Sequence, residues 1–348
     1  MTEKNYTVNI SSQTFIKILL FFIVIAFLYM VREAIALIFI ALILASALDP
    51  FVDWLRKFKI PRGVGIIVIY FLLLSIISAV IVMIIPPITA EVKLIASDFP
   101  AYYERVVEGF NYFTTNRNDM EVAEQLQNSL NTMTGNLSRA ASGVFDTLMG
   151  IFGGIFSFFL VLVITFYFTV EEEGLKRFIM SVTPAQYQPY LMQLVSRIQR
   201  KLGYWLRGQL ILSVIIFILT FVGLTILGVE YALLLALIAG IFEVIPYMGP
   251  IIAAVPAVFL AFMQSPLKGL LVLILYIIIQ QLENHIIVPK VMSKSVGINP
   301  LVVIIVLLVG GKLGGVMGMV LAVPVATAIS VFMDDFVEKR VGDKEISQ

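Results

Sequence analysis

Long apolar runs, following one another from near the start, constrain this chain more than any motif in it. The run from Val64 to Ile85 is uninterrupted and ends at Pro86-Pro87. It has the length of about 20 residues that a helix needs to cross the hydrocarbon core of a bilayer. Ile18–Val31 continues past Arg32-Glu33 into Ala34–Leu48, which predicts a tight helical hairpin. Thr14–Lys17 can lengthen its first arm, with Lys17 reaching back to the interface. Two further runs are Thr147–Val170, closed by Glu171-Glu172-Glu173, and Gln209–Gly228. A cleaved signal peptide is the alternative reading of Ile18–Val31, but Arg32-Glu33 is misplaced for that and another apolar run follows at once.

Composition narrows the function classes. Sixty per cent of the 348 residues fall in the set AVILMFWYC and 14% are charged, against roughly 25% charged in soluble domains. A soluble enzyme, a disordered chain and a nucleic-acid binder all fit poorly. The absence of cysteine excludes disulfides and thiolate chemistry, and the single histidine, His285, cannot build a multi-histidine metal site. No Walker-A lysine, HExxH or pair of intramembrane aspartates occurs, so neither catalysis nor a cofactor or metal is expected. The reading is an all-α protein with several membrane spans.

Loop charge orients it. Asp49–Arg62 carries Arg56, Lys57, Lys59 and Arg62, and Glu171–Arg207 carries Lys176, Arg177, Arg197, Arg200, Lys201 and Arg207. Both belong inside by the positive-inside rule. The segment 88–146 between them has four basic residues against eight acids and belongs outside. Within it, Tyr102, Val106, Phe110 and Phe113 share a helical face, as do Val122, Leu126, Leu130, Met133 and Leu137, which predicts a small external helical insert. In the inner connection, Tyr187, Leu191, Leu194, Ile198, Leu202 and Trp205 form an apolar stripe backed by basic residues. That is the pattern of a helix lying on an anionic leaflet, or of a plain packing helix. The organisation predicted is membrane helices over 1–87, the insert over 88–146, a span over 147–170, an inner connection over 171–208, a membrane core over 209–333 and an inner tail over 334–348.

The C-terminal third departs from simple spans. From Tyr231 to Met263 the apolar chain is interrupted by Glu243, Pro246, Gly249, Pro250 and Pro256. It is too long for one crossing, and its halves, about 14 residues each, are too short for two. The stretch from Pro300 to Met333 repeats this, with Gly310, Gly311, Gly314, Gly315 and Gly318 and then Pro324. Each predicts two half-helices meeting at a break, where Pro and Gly free backbone groups that must face protein or water rather than lipid. If Lys268–Leu282 spans once, the two hairpins enter from opposite sides, giving about six spans plus two hairpins and both termini inside. Kinked spanning helices are the competing reading.

Ionisable residues at depth are candidate functional groups. Glu243 lies beside Pro246 and Lys312 within the Gly-rich break, and the two are expected to form an ion pair if the breaks face each other. Tyr276, Gln280, Glu283 and Asn284 share a face at spacings of three and four; they suit a hydroxylated solute, a proton or cation, or simply a wet helix end. His285 lies off that face and suits capping.

Gly240–Pro256, GIFEVIPYMGPIIAAVP, and Gln280–Pro324, QQLENHIIVPKVMSKSVGINPLVVIIVLLVGGKLGGVMGMVLAVP, together resemble the signature region of the autoinducer-2 exporter family, the PerM-like permeases. The matching positions are Glu243, Pro246, Gly249, Pro250, Pro256, Glu283, Pro289, Gly297, Pro300, Gly310, Gly311, Gly318 and Pro324. The sequence departs from the pattern at Asn299, Lys312 and Gly314. The resemblance implies a permease of the cytoplasmic membrane, with about eight hydrophobic elements and assembly into a homo-oligomer, a pentamer. It is consistent with export of a small polar solute resembling autoinducer-2 and with sodium/proton antiport through Glu243 or Glu283. An uncoupled pore or scaffold is the third reading.

Overall fold

Apolar sequence dominates the local structure. The computed structural model describes residues 12–80, 82, 86, 154–171, 174–292 and 299–345, all of its regular elements being helices. The helices are α1 (Ser12–Met30), α2 (Arg32–Arg56), α3 (Arg62–Val80), α4 (Ile155–Val170), α5 (Gly174–Val182), α6 (Gln188–Ile226), α7 (Ala232–Phe242), α8 (Met248–Gln264), α9 (Pro266–Leu282), α10 (Val288–Val291) and α11 (Pro300–Glu345). Among the described residues, five segments are long and apolar enough to cross a membrane, and four shorter apolar helices accompany them. The predicted all-α membrane fold is what is observed. The external insert over 88–146 and Gly297 lie outside the described residues.

Two boundaries differ from expectation. Helix α2 does not stop at Asp49 but runs through Pro50 to Arg56. Proline has no N–H to give the carbonyl four residues back, here that of Ser46. Arg207 supplies the missing donor, its Nη1 lying 3.4 Å from Ser46 O and 2.9 Å from Ala47 O. Gly203, one turn earlier on α6, lets Ser46 O approach so closely that a Cβ there would overlap it, the close contact that small residues permit between membrane helices. Arg207→Met is expected to lower stability by about 1–3 kcal/mol, read as a fall in the thermal midpoint of the purified protein. Arg207→Lys should recover part of this, since an ammonium lacks the planar fork. An unchanged midpoint in Arg207→Met would show the contact to be idle.

The second difference concerns the inner connection. Its apolar stripe is not a separate helix on a leaflet, because α6 is one helix of 39 residues that carries the stripe straight into the fifth span. Leu194, Leu202 and Trp205 are buried, the latter two with Ile43 of α2 and with the second hairpin. Packing against protein accounts for its buried members, while Tyr187 at its start is exposed.

Helix α6 is the axis of the bundle, touching α2, α5, α7, α9, α10 and α11. Its second half joins α7, α8 and α9 around Leu224, Leu235, Ala253, Ala257, Leu260 and Val272. Where α7 and α6 cross, Gly240 faces Phe217 and Ser213 O with no room for a side chain. At the end of the bundle where the first hairpin opens, Lys268 Nζ donates to Gly228 O at 2.6 Å and to Gln264 Oε1 at 3.1 Å. Ser265 Oγ caps α9 by accepting from Lys268 N.

Candidate functional site at the hairpin tip

The first interrupted segment is a helix, a break and a helix, as its composition predicts. The break spans residues 243–247, and its backbone is tight. Ile245 N donates to Phe242 O at 2.9 Å and Gly249 N to Ile245 O at 2.8 Å. Tyr247 has φ 62°, a costly conformation for a bulky residue and one that tends to occur at functional sites. Gly249 lies so close to Phe242 O that no Cβ fits. Pro246 is in the turn and Pro250 in the first turn of α8, where a missing N–H costs nothing. Pro256 breaks nothing; it lies inside α8.

The second segment also doubles back. Gly310 and Gly318 are in backbone contact, whereas eight residues of unbroken helix would hold them about 12 Å apart. The reversal is at Gly314-Gly315, the latter at φ 58°. Gly310, Gly311 and Gly318 are therefore the seam between two arms and not the turn itself. Pro324 lies within the second arm, Pro300 starts the first, and Pro289 lies in the first turn of α10. Val303, Leu307, Ala322 and Val323 of these arms cluster with Ile245 of the break and with Leu202 and Trp205. Met292, just before this hairpin, packs on Gly208. The tip of the first hairpin thus packs on the arms of the second.

The tip holds a pair of carboxyl groups. Glu243 is 1% exposed and Glu283, at the end of α9, is 5% exposed, and the two carboxyl groups are close neighbours. Two ionised carboxylates could only accept from each other, and two adjacent negative charges in apolar surroundings would repel strongly, so the doubly ionised pair is disfavoured. Glu243 Oε2 is buried without a protein partner among the described residues, leaving one open position. The chain at Glu283–Ile287 is a π-helical turn, a distortion frequent at functional sites.

Amides flank the pair. Gln280 Nε2 donates to Glu283 Oε2 at 3.3 Å and lies 3.5 Å from Asn284 Oδ1, so the face expected from spacing does come together. Tyr276 is buried with its hydroxyl unpartnered among the described residues. Gln209, buried on α6, donates through Nε2 to the backbone carbonyl of Glu243. Sequence reading missed it as a site residue, although a glutamine heading an apolar span was the available signal. His285 is exposed and its Nδ1 donates to Gln281 O at 3.0 Å, a capping role.

The expected Glu243–Lys312 ion pair is not formed. Lys312 is exposed beside the Gly314-Gly315 turn, while Glu243 is enclosed at the other hairpin's tip against Glu283. The tip of the first hairpin clusters, through Ile245, with Val303, Leu307, Ala322 and Val323 in the arms of the second and not with its Gly314-Gly315 turn.

A bundle of apolar helices with two broken hairpins and an enclosed carboxyl pair has the character of a membrane transport protein. The profile of the AI-2E family transporters matches residues 16–338. The chain belongs to that family. It is 29% identical over 284 residues to YueF of Bacillus subtilis (strain 168), covering 78% of this chain and 76% of that one. It is 26% identical over 305 residues to YrrI of the same organism, covering 86% of each. It is also 25% identical over 292 residues to the sodium-lithium/proton antiporter of Halobacillus andaensis, covering 79% of this chain and 82% of that one.

Proposed function

We propose that this protein exchanges a monovalent cation for a proton across the cytoplasmic membrane, with Glu243 and Glu283 as the shared site. The carboxyl pair in contact at the hairpin tip carries this reading. With one proton between them the two groups bear a net charge of minus one. With the proton gone and a monovalent cation seated between two carboxylates, the net charge is again minus one. Either occupant leaves the same charge to be moved through an apolar bundle, and an empty, doubly charged site is the costly state. Exchange is therefore favoured over leak. The family membership supports a membrane permease, and the antiporter named among the relatives supports cation exchange as its mode.

The expected exchange is one for one and electroneutral. In proteoliposomes of the purified protein, an imposed sodium or lithium gradient should move protons at a rate that a clamped potential of about 100 mV leaves unchanged, although such a potential is worth about 2.3 kcal/mol per charge moved. A strong dependence on potential would rule out one-for-one exchange.

The amides of Gln280 and Asn284, beside the pair, favour a second reading: proton-linked export of a small hydroxylated solute such as autoinducer-2. Flux of labelled autoinducer-2 without cation-dependent proton movement would establish that reading in place of the first. Flux indifferent to every gradient would make the protein a pore.

A further inference from the structure

A groove of about 650 Å³ runs between α8 and α9. Its walls are Pro250, Ile251, Val255, Phe262 and Leu273, among other apolar side chains, and Tyr276 and Gln280 are its polar members. Ile251 and Val255 are about 60% exposed at its rim, so it is open along the outer side of the bundle. Its volume falls within the range of about 300–1,000 Å³ typical of small-molecule sites.

The polar members determine what fits. Gln280 Nε2 is engaged with Glu283 and Asn284, which leaves its Oε1 as an acceptor without a protein partner among the described residues. The Tyr276 side chain is 92% buried by its 8% exposure, and its hydroxyl is likewise unpartnered. Glu283, bonded to Gln280, adds negative charge next to the groove. An acceptor with a carboxyl pair behind it repels an anionic head and welcomes a donating, positively charged one. The walls require an apolar body.

We propose that this groove binds a single-chain lipophilic amine drawn from the surrounding bilayer, its tail between α8 and α9 and its ammonium head at Gln280, beside the Glu243–Glu283 pair. This names a substrate class for the cation exchange and rests on that reading. The ammonium takes the place of the shared proton, N–H groups donating to Gln280 Oε1 and to the carboxylates, and the released proton is the one exchanged. Entry is lateral, so the tail need never cross a polar gate.

Dodecylamine bearing a diazirine in its chain tests this with the full-length protein in lipid nanodiscs. Labelling should be saturable and fall on peptides containing Ile251, Val255 and Leu273. Unlabelled dodecylamine should compete and dodecanoate should not. Val255→Trp, which fills the groove from its exposed rim without entering the core, should cut labelling about tenfold, and Glu283→Gln should weaken competition by dodecylamine. Equal competition by dodecanoate, or labelling that Val255→Trp leaves unchanged, overturns the proposal in favour of ordinary bilayer lipid. Full disulfide formation between protomers carrying Val255→Cys, in a chain with no other cysteine, overturns it in favour of a second copy in the groove. Lithium/proton exchange in the same preparations separates the two readings. Exchange with no specific labelling removes the groove site alone, whereas specific labelling without exchange upholds the groove and removes inorganic-cation antiport.

Discussion

Glu243→Gln is expected to lower cation-driven proton movement about 100-fold or more, the kinetic equivalent of about 2.7 kcal/mol, while the protein still folds and inserts. Glutamine has nearly the shape of glutamic acid and carries its own donor, so it can keep the contact with Glu283 without a transferable proton. The hairpin tip stays assembled, held by Gln209 on the backbone carbonyl of residue 243, and the site loses its exchangeable hydrogen. Glu283→Gln should do the same from the other side. Because the two carboxyls act as one unit, the double variant should be no slower than either single one. Lys312→Gln should stay within about twofold of the parent, since an exposed lysine can keep its head in water. The measurement is the initial rate of internal pH change in proteoliposomes after a lithium pulse, with insertion checked separately. Full activity in Glu243→Gln with loss only in Glu283→Gln would reduce the site to a single carboxylate and remove the argument from conserved charge.

The second large effect is on folding. Gly249→Ala is expected to destabilise the protein by about 3 kcal/mol, and to lower sharply the yield of monodisperse protein after extraction. The added methyl group would overlap Phe242 O and Glu243 N, backbone atoms that cannot turn aside as a flexible side chain could. Moving them means opening the break and separating Glu243 from Glu283. Gly310→Ala should act similarly by pushing Gly318 away. Gly314→Ala is the control, because nothing lies within 4 Å of the new methyl group and φ there is negative. If Gly249→Ala and Gly314→Ala gave the same yield and thermal midpoint, the tight turn at 243–247 would be wrong.

The positions of the breaks were legible because proline and glycine act locally. Glu243-Val244-Ile245-Pro246 cannot continue a helix into Gly249-Pro250 at no cost, and the chain turns there. Pro50, Pro256 and Pro324 show where local reading stops. Each sits inside a helix, and for Pro50 the compensating donor comes from Arg207, far away in sequence. Spacing likewise gathered Gln280, Glu283 and Asn284, since neighbours on a helix are fixed by its pitch. Gln209 stood out only as a glutamine heading an apolar span; its partner, the backbone carbonyl of Glu243, is 34 residues away and no local spacing gives it.

By itself the sequence determined the solvent and the architecture. An apolar chain with few charges must live in a bilayer, helices must satisfy its backbone there, and Pro and Gly mark where two of its segments fold back. The tertiary structure alone decided which charges meet. Glu243 was expected to face the opposite charge of Lys312 and instead faces Glu283. Attraction between two residues favours contact only if the backbone can bring them together, and here the first hairpin's tip clusters with the arms of the second rather than with its Gly-rich turn. What the packing enforces is two acids in one apolar enclosure, where two charges together are costly, and that is the starting point for the proposed exchange.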